Sequence, residues 1–178
     1  SHFESLRKGA LQATSESLVV TSPDQLIGIN PIDGSTRWHA TLSRRPLSFI
    51  ATGTSIFVAT DRSLEGFNGT SGELLWSLPV KNTTASLHAT DDLLIRISSD
   101  GSVDRIEPHT GSIEWSITGD SPHLSTAFSE ELLAIGDTEK NMQVFDLTTG
   151  ETLWAHQGDT NLNSAVFQGG QLVICDDQ

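Results

Sequence analysis

Every tryptophan of this chain stands four residues after a glycine. The four Gly-x-x-x-Trp units, Gly34 to Trp38, Gly72 to Trp76, Gly111 to Trp115 and Gly150 to Trp154, recur at intervals of 38, 39 and 39 residues. A fixed period in this range marks one supersecondary unit copied along the chain. No unit of that size buries its own apolar faces, so the 178 residues have to fold as about four and a half units stacked on their neighbours.

Within the unit the spacing is that of strands. Leu26, Leu64, Val103 and Met142 share one position before the glycine, and Ile29, Phe67, Ile106 and Phe145 share another three residues later. After it, Thr36, Leu74, Ile113 and Thr152 lie two residues before the tryptophan, and Ala40, Leu78, Ile117 and His156 two after, which lines one face of an extended strand. Two further strand-like runs precede each such pair, at residues 9–14 and 17–21, 47–52 and 55–60, 85–89 and 93–98, and 124–128 and 131–135. Turns such as Asp100-Gly101 separate them. Four short strands per unit make an antiparallel meander with two apolar faces. The fold this predicts is all-β, a β-propeller of four-stranded antiparallel blades. A β-sandwich would account for the strands but not for a tryptophan at a fixed period.

The expected organisation is one propeller domain. Residues 1–8 are an N-terminal extension or expression remnant, 9–42, 43–80, 81–119 and 120–158 are blades one to four, and 159–178 is the first half of a fifth. The glycine supplies the positive φ that a tight strand-to-strand turn needs, and the Asp or Thr beside it can bond the turn backbone.

These units resemble the tryptophan-docking repeat of the pyrroloquinoline quinone (PQQ) dehydrogenase-like propellers, with the signature Ala-x-Asp-x-x-Thr-Gly-x-x-x-Trp. Asp146, Thr149, Gly150 and Trp154 match its main positions, and Glu107, Thr110, Gly111 and Trp115 match with Glu for Asp. Asn68, Ser71, Gly72 and Trp76, then Asn30, Asp33, Gly34 and Trp38, are looser copies, and Gly28, Gly66, Arg105 and Val144 replace the alanine. The resemblance implies that each tryptophan packs across to the next blade, and that a ring has seven or eight blades. This chain then forms part of a larger ring, completed by further sequence or by a second chain. The family includes quinone-dependent dehydrogenases, the outer-membrane assembly lipoprotein BamB and luminal sensor domains of stress kinases, so the resemblance leaves three functions open. They are a non-catalytic scaffold for a protein or peptide, a fragment of a quinoprotein dehydrogenase, and a ligand-sensing domain of a receptor. The family's enzymes carry an adjacent cysteine pair, calcium ligands and a catalytic aspartate. Cys175 is a single cysteine, and no residue matches the calcium or base positions, which makes the scaffold, without catalytic residues, metal or cofactor, the favoured reading. Family analogy makes it extracytoplasmic.

Charge narrows the partners. Residues 1–89 hold seven acids and seven bases, whereas residues 90–178 hold sixteen acids and three bases, which is the whole net charge of -13. Binding to nucleic acid, which needs clustered cations, is disfavoured. No run of 18 apolar residues offers a membrane span. The six histidines are isolated, without the spacing that pairs metal ligands on a helix. The sequons at Asn68 and Asn82 would permit glycosylation in a secretory compartment.

With the strands of a blade labelled A to D, the A–B and C–D turns share one rim, which carries the glycine motif. The B–C and D–A turns share the other, where residue types vary most. Loops on a rigid scaffold are the usual place for binding. That rim is expected to carry Arg44, Arg45, Arg62 and Lys81 in the first two blades, and Asp100, Asp120, His123, Glu139, Lys140 and Asp159 in the next two. A rim basic at one side and acidic at the other suits a protein or peptide of complementary charge.

Overall fold

The computed structural model describes residues 11–119, 121–158, 162–169 and 171–176. Among these the regular structure is entirely β. The first sheet orders β1 (Leu11–Ala13), β2 (Leu18–Thr21), β3 (Gln25–Ile29) and β4 (Thr36–Thr41) consecutively. The second does the same with β5 (Ser48–Ala51), β6 (Ser55–Ala59), β7 (Ser63–Asn68) and β8 (Leu74–Pro79). The third contains β9 (Thr84–Ala89), β10 (Leu94–Ser98), β11 (Val103–Ile106) and β12 (Ile113–Ile117). The fourth contains β13 (His123–Phe128), β14 (Leu132–Asp137), β15 (Asn141–Asp146) and β16 (Thr152–Gln157). A hairpin of β17 (Leu162–Gln168) and β18 (Gln171–Asp176) follows. Strand positions agree with the periodic reading to within one or two residues at their ends. Residues 9 and 10, expected to begin the first strand, lie outside the described residues.

The chain divides into two compact units, Ser1–Ile97 with Ile106–Glu114, and Ser98–Arg105 with Trp115–Gln178. In the first unit the core follows from the two-residue period of β6, all of whose residues are buried. Ile56 and Val58 face one way and join Val19, Leu26, Trp38, Phe49 and Phe67. Phe57 and Ala59 face the other way and join Leu64, Trp76, Leu94 and Ile106. A central strand buried on both faces is what stacking between neighbours demands, and each such large apolar side chain contributes about 1.5–3 kcal/mol by leaving water. Polar groups tie the sheets at their A strands. The Gln12 amide donates to Phe49 O at 3.0 Å and accepts from Ala51 N at 2.7 Å, so one side chain of β1 satisfies two main-chain groups of β5. The A–B turns are linked as well: Ser15 N donates to Gly53 O at 2.9 Å, and Thr54 N to Asp91 Oδ1 at 3.2 Å.

In the second unit Ala127, Ala134 and Val144 form a smaller core, against which Ala165, Phe167 and Leu172 of the β17–β18 hairpin pack. The hairpin's other face leaves Val166 and Val173, which are register partners, exposed to solvent.

Candidate functional site

The C–D turns share one hydrogen-bond plan. Gly34, Gly72, Gly111 and Gly150 have φ of 71°, 73°, 72° and 74°, a left-handed conformation that only glycine adopts without steric cost. Each donates its N–H to the main-chain oxygen four residues back, on Asn30, Asn68, Glu107 and Asp146, at 2.8–2.9 Å. The side chains of those same residues turn inward and accept the intervening N–H groups. Asn68 Oδ1 takes Thr70 N at 2.9 Å and Ser71 N at 3.0 Å, and Asp146 Oδ1 takes Thr148 N at 2.8 Å and Thr149 N at 2.9 Å. Glu107 reaches the same pair, His109 N and Thr110 N, through its longer stem. Asn30 takes Ile32 N at 3.0 Å. Asn, Asp and Glu are interchangeable here because all present an sp² oxygen at the required place. The carboxyl of Asp146 is held below the usual aspartate range by the N–H groups of Thr149 and Thr148. At Glu107 partial burial acts to raise the pKa, but the bonds from Thr110 and His109 prevail and lower it.

The indoles lie over these turns. A methyl group on Gly72 would stand 2.4 Å from Cε3 of Trp38, one on Gly111 2.5 Å from Cδ2 of Trp76, and one on Gly150 2.7 Å from Cδ2 of Trp115. Trp38, Trp76 and Trp115 therefore each cover the turn glycine of the next repeat. On its own sheet, Trp38 also lies across Gly28 and Trp76 across Gly66, where a methyl would come within 2.2 Å of the ring. That accounts for glycine where the signature has alanine. Trp76 Nε1 donates to Pro108 O at 2.8 Å and Trp115 Nε1 to Leu147 O at 3.2 Å, and the Arg105 guanidinium donates to the same Leu147 carbonyl. Trp38 Nε1 is buried without a partner among the described residues. The last indole breaks the series, since Trp154 is 43% exposed. At the other end, nothing among the described residues comes within 4 Å of a methyl built on Gly34.

The B–C and D–A turns share backbone bonds, Leu42 N to Asp24 O at 2.8 Å, Val80 N to Arg62 O at 2.9 Å and Gly158 N to Lys140 O at 2.9 Å, but differ in their charged side chains. In the first unit Arg44, on the turn after β4, has its Nη1 3.4 Å from both carboxylate oxygens of Asp61, and Arg62 Nε is 3.9 Å from the same group. Below them, Ser43 Oγ donates to the buried carboxylate of Glu65 at 2.6 Å and Ser63 Oγ to the same oxygen at 3.1 Å, which fixes the root of the loop. Arg45 and Lys81 are exposed. The structure thus brings Arg44 and Arg62 together around Asp61, which the sequence reading overlooked. The only sequence signal for it was an acid beside Arg62 in a B–C turn.

In the second unit Asp100 accepts from Ser102 N at 3.1 Å, and Glu139 and Lys140 are exposed on the β14–β15 turn. Asp137, also overlooked, organises that turn: Oδ1 takes Glu139 N at 2.8 Å and Asn141 N at 2.9 Å, and Oδ2 takes Asn141 Nδ2 at 3.0 Å and Ser121 Oγ at 3.1 Å. Burial acts to raise its pKa, and these bonds outweigh it and lower the pKa. His123 begins β13 opposite Asp137, in a strand and not in a turn. Asp120 and Asp159 lie outside the described residues. Among the described residues no group of three or more His, Cys, Asp or Glu is placed to hold a metal ion.

Consecutive four-stranded antiparallel sheets built on PQQ-like repeats define a β-propeller. The chain belongs to the family of outer membrane protein assembly factor BamB, whose model matches residues 3–178. Among solved structures it is similar to a computationally designed protein, Ika8, with TM-score 0.77, 18% identity, and coverage of 92% of this chain and 54% of that one. It is similar to BamB from Moraxella catarrhalis, with TM-score 0.72 and 13% identity over 93% of this chain and 54% of that one. A second designed protein, Ika4, matches 69% of this chain and 79% of its own at 20% identity, with TM-score 0.60. The chain spans about half the length of the first two. No curated protein matches it. Among the described residues no helix is long and apolar enough to cross a membrane.

Proposed function

We propose that the chain is a non-catalytic, extracytoplasmic scaffold that holds a protein or peptide through its B–C and D–A turns. In this reading the blades are residues 9–42, 43–80, 81–119 and 120–158, with half a blade from 159. One contrast carries it. The C–D turns repeat a single self-satisfied hydrogen-bond plan, whereas the opposite turns differ in their charged side chains and display Arg44, Arg45, Arg62, Lys81, Glu139 and Lys140. A rigid frame with variable charged loops is a recognition surface. The two guanidinium groups of Arg44 and Arg62 at one carboxylate keep donors to spare for a partner's acidic groups. Membership of a family described as an outer membrane protein assembly factor supports a protein partner beyond the cytoplasm.

Site-specific photocrosslinking in the source cells tests it. With the crosslinker at position 45, 81 or 139 a discrete protein adduct is expected, and with it at position 71 or 148 on the C–D turns none. Adducts formed equally from both sets would overturn the use of this rim. Turnover of an alcohol in the presence of PQQ, Ca²⁺ and an electron acceptor would overturn the non-catalytic reading.

A further inference from the structure

The turns of the first unit sort by charge along its strands. At its A–B and C–D turns stand Glu16, Asp33, Glu73, Asp91, Asp92 and Glu107, with no lysine or arginine among the described residues. At its B–C and D–A turns stand Arg44, Arg45, Arg62 and Lys81, against Asp24 and Asp61. The unit therefore presents one acidic end and one basic end. At the basic end three turns converge. The turn after β4 reaches the β6–β7 hairpin twice, with Arg44 Nη1 3.4 Å from Asp61 Oδ2 and Ser43 Oγ 2.6 Å from Glu65 Oε1. The turn after β8 joins the same hairpin through its main chain, where Val80 N donates to Arg62 O at 2.9 Å. The buried Arg96 guanidinium donates to Asn82 O and, at 3.0 Å, to Thr84 Oγ1, and so fixes the far side of that turn. Arg45 and Lys81, carried on this frame, are exposed and have no ion-pair partner among the described residues.

We infer that the turns at residues 43–45, 61–62 and 80–82 form a docking site for a carboxylate-rich segment of a partner protein, which takes the spare N–H donors of Arg44, Arg45, Arg62 and Lys81. The inference rests on the reading that this rim holds a protein or peptide, and it names the place in the first unit and the chemistry of the occupant. Guanidinium groups suit it because they pair with carboxylates through two parallel hydrogen bonds. A segment of chain fits better than an anionic bilayer. A molecule of net charge -13 is repelled as a whole by a charged plane, whereas a segment feels mainly the cations within a Debye length of it, about 10 Å at 0.1 M salt. The acidic end of the unit repels the same segment, which leaves the basic end to receive it.

Fluorescence anisotropy with a labelled peptide of alternating glutamate and glycine, compared with its glutamine counterpart, tests this on the chain as it stands. The glutamate peptide should bind and the glutamine peptide should not, and added salt should weaken the binding. Arg45→Gln with Lys81→Gln removes two charges that make no ion pair within the described residues, so the fold should hold while binding falls about tenfold. Thr70→Glu with Thr148→Glu lowers the net charge equally at exposed positions of C–D turns, and should change binding by less than about twofold. Circular dichroism monitors folding, and where a variant loses its sheet signal the comparison of the two peptides on the wild type decides. An equal loss in both variants would overturn the site in favour of a diffuse charge effect. A wild type that binds neither peptide, or both alike, would remove the inference and leave the use of the rim to the crosslinks at positions 45, 81 and 139. Co-sedimentation with phosphatidylglycerol vesicles that Arg45→Gln with Lys81→Gln abolishes would overturn the protein segment and assign these cations to a lipid surface.

Discussion

Gly72 and Gly34 share a backbone conformation and differ in surroundings, which separates two reasons for glycine. Among the described residues nothing stands where a methyl on Gly34 would go, so alanine there meets the cost of positive φ, about 1–2 kcal/mol. At Gly72 the added methyl would also collide with Trp38 at 2.4 Å, so Gly72→Ala should destabilise by clearly more than Gly34→Ala in urea melts. The indole nitrogens make a second pair of opposites. Trp76→Phe gives up the bond to Pro108 O and should cost about 1 kcal/mol beyond any packing loss, whereas Trp38→Phe removes a buried donor that has no partner and should cost less. Matched thermal melts of the two variants would show the difference. The period marked all four tryptophans as structural. It could not tell them apart, because the carbonyls that receive Trp76 and Trp115 lie in the next repeat, 32 residues along the chain.

At the scale of the hairpin, the four C–D turns use two amides and two carboxylates for one task, so only the latter two titrate. The carboxyls of Glu107 and Asp146 have lowered pKa values, because the charged form accepts the turn N–H groups. A lowered folded-state pKa means that their stabilisation is complete above the ordinary carboxylate range and is lost as pH falls through it, from about pH 4 downward. Asp146→Asn should leave the turn formed, as Asn68 shows, and should flatten the acid limb of a stability–pH profile measured by urea midpoint. A steeper acid limb in the variant would contradict this account. The β14–β15 turn holds a different strain: Lys140 has φ of 68°, with a long side chain where glycine would be at ease. Lys140→Gly should raise the melting temperature through relief of about 1 kcal/mol. The strand pattern announced these elements because alternation and turn chemistry are local. Lys140 gave no such signal, since its conformation is imposed by Asp137 bonding two N–H groups of the turn.

Across the whole molecule the two halves of the sequence differ more in charge than in fold. Sixteen acids against three bases in residues 90–178 repel one another, so raising ionic strength should raise the melting temperature. A fall would mean that attractive pairs such as Arg44 with Asp61 dominate instead. The rim residues were legible only as a set of turn positions. Their grouping was not, because Asp61 comes between Arg44 and Arg62 only once β4 and β6 belong to adjoining sheets.

The sequence by itself determined the unit, its four strands and the glycine turn, because these depend on φ, on two-residue alternation and on side chains that bond their own neighbours along the chain. Tertiary structure decided which indoles are covered and which carbonyls receive the Nε1 of Trp76 and of Trp115. Those outcomes depend on what the next sheet presents, and identical motifs acquire different surroundings wherever that neighbour differs.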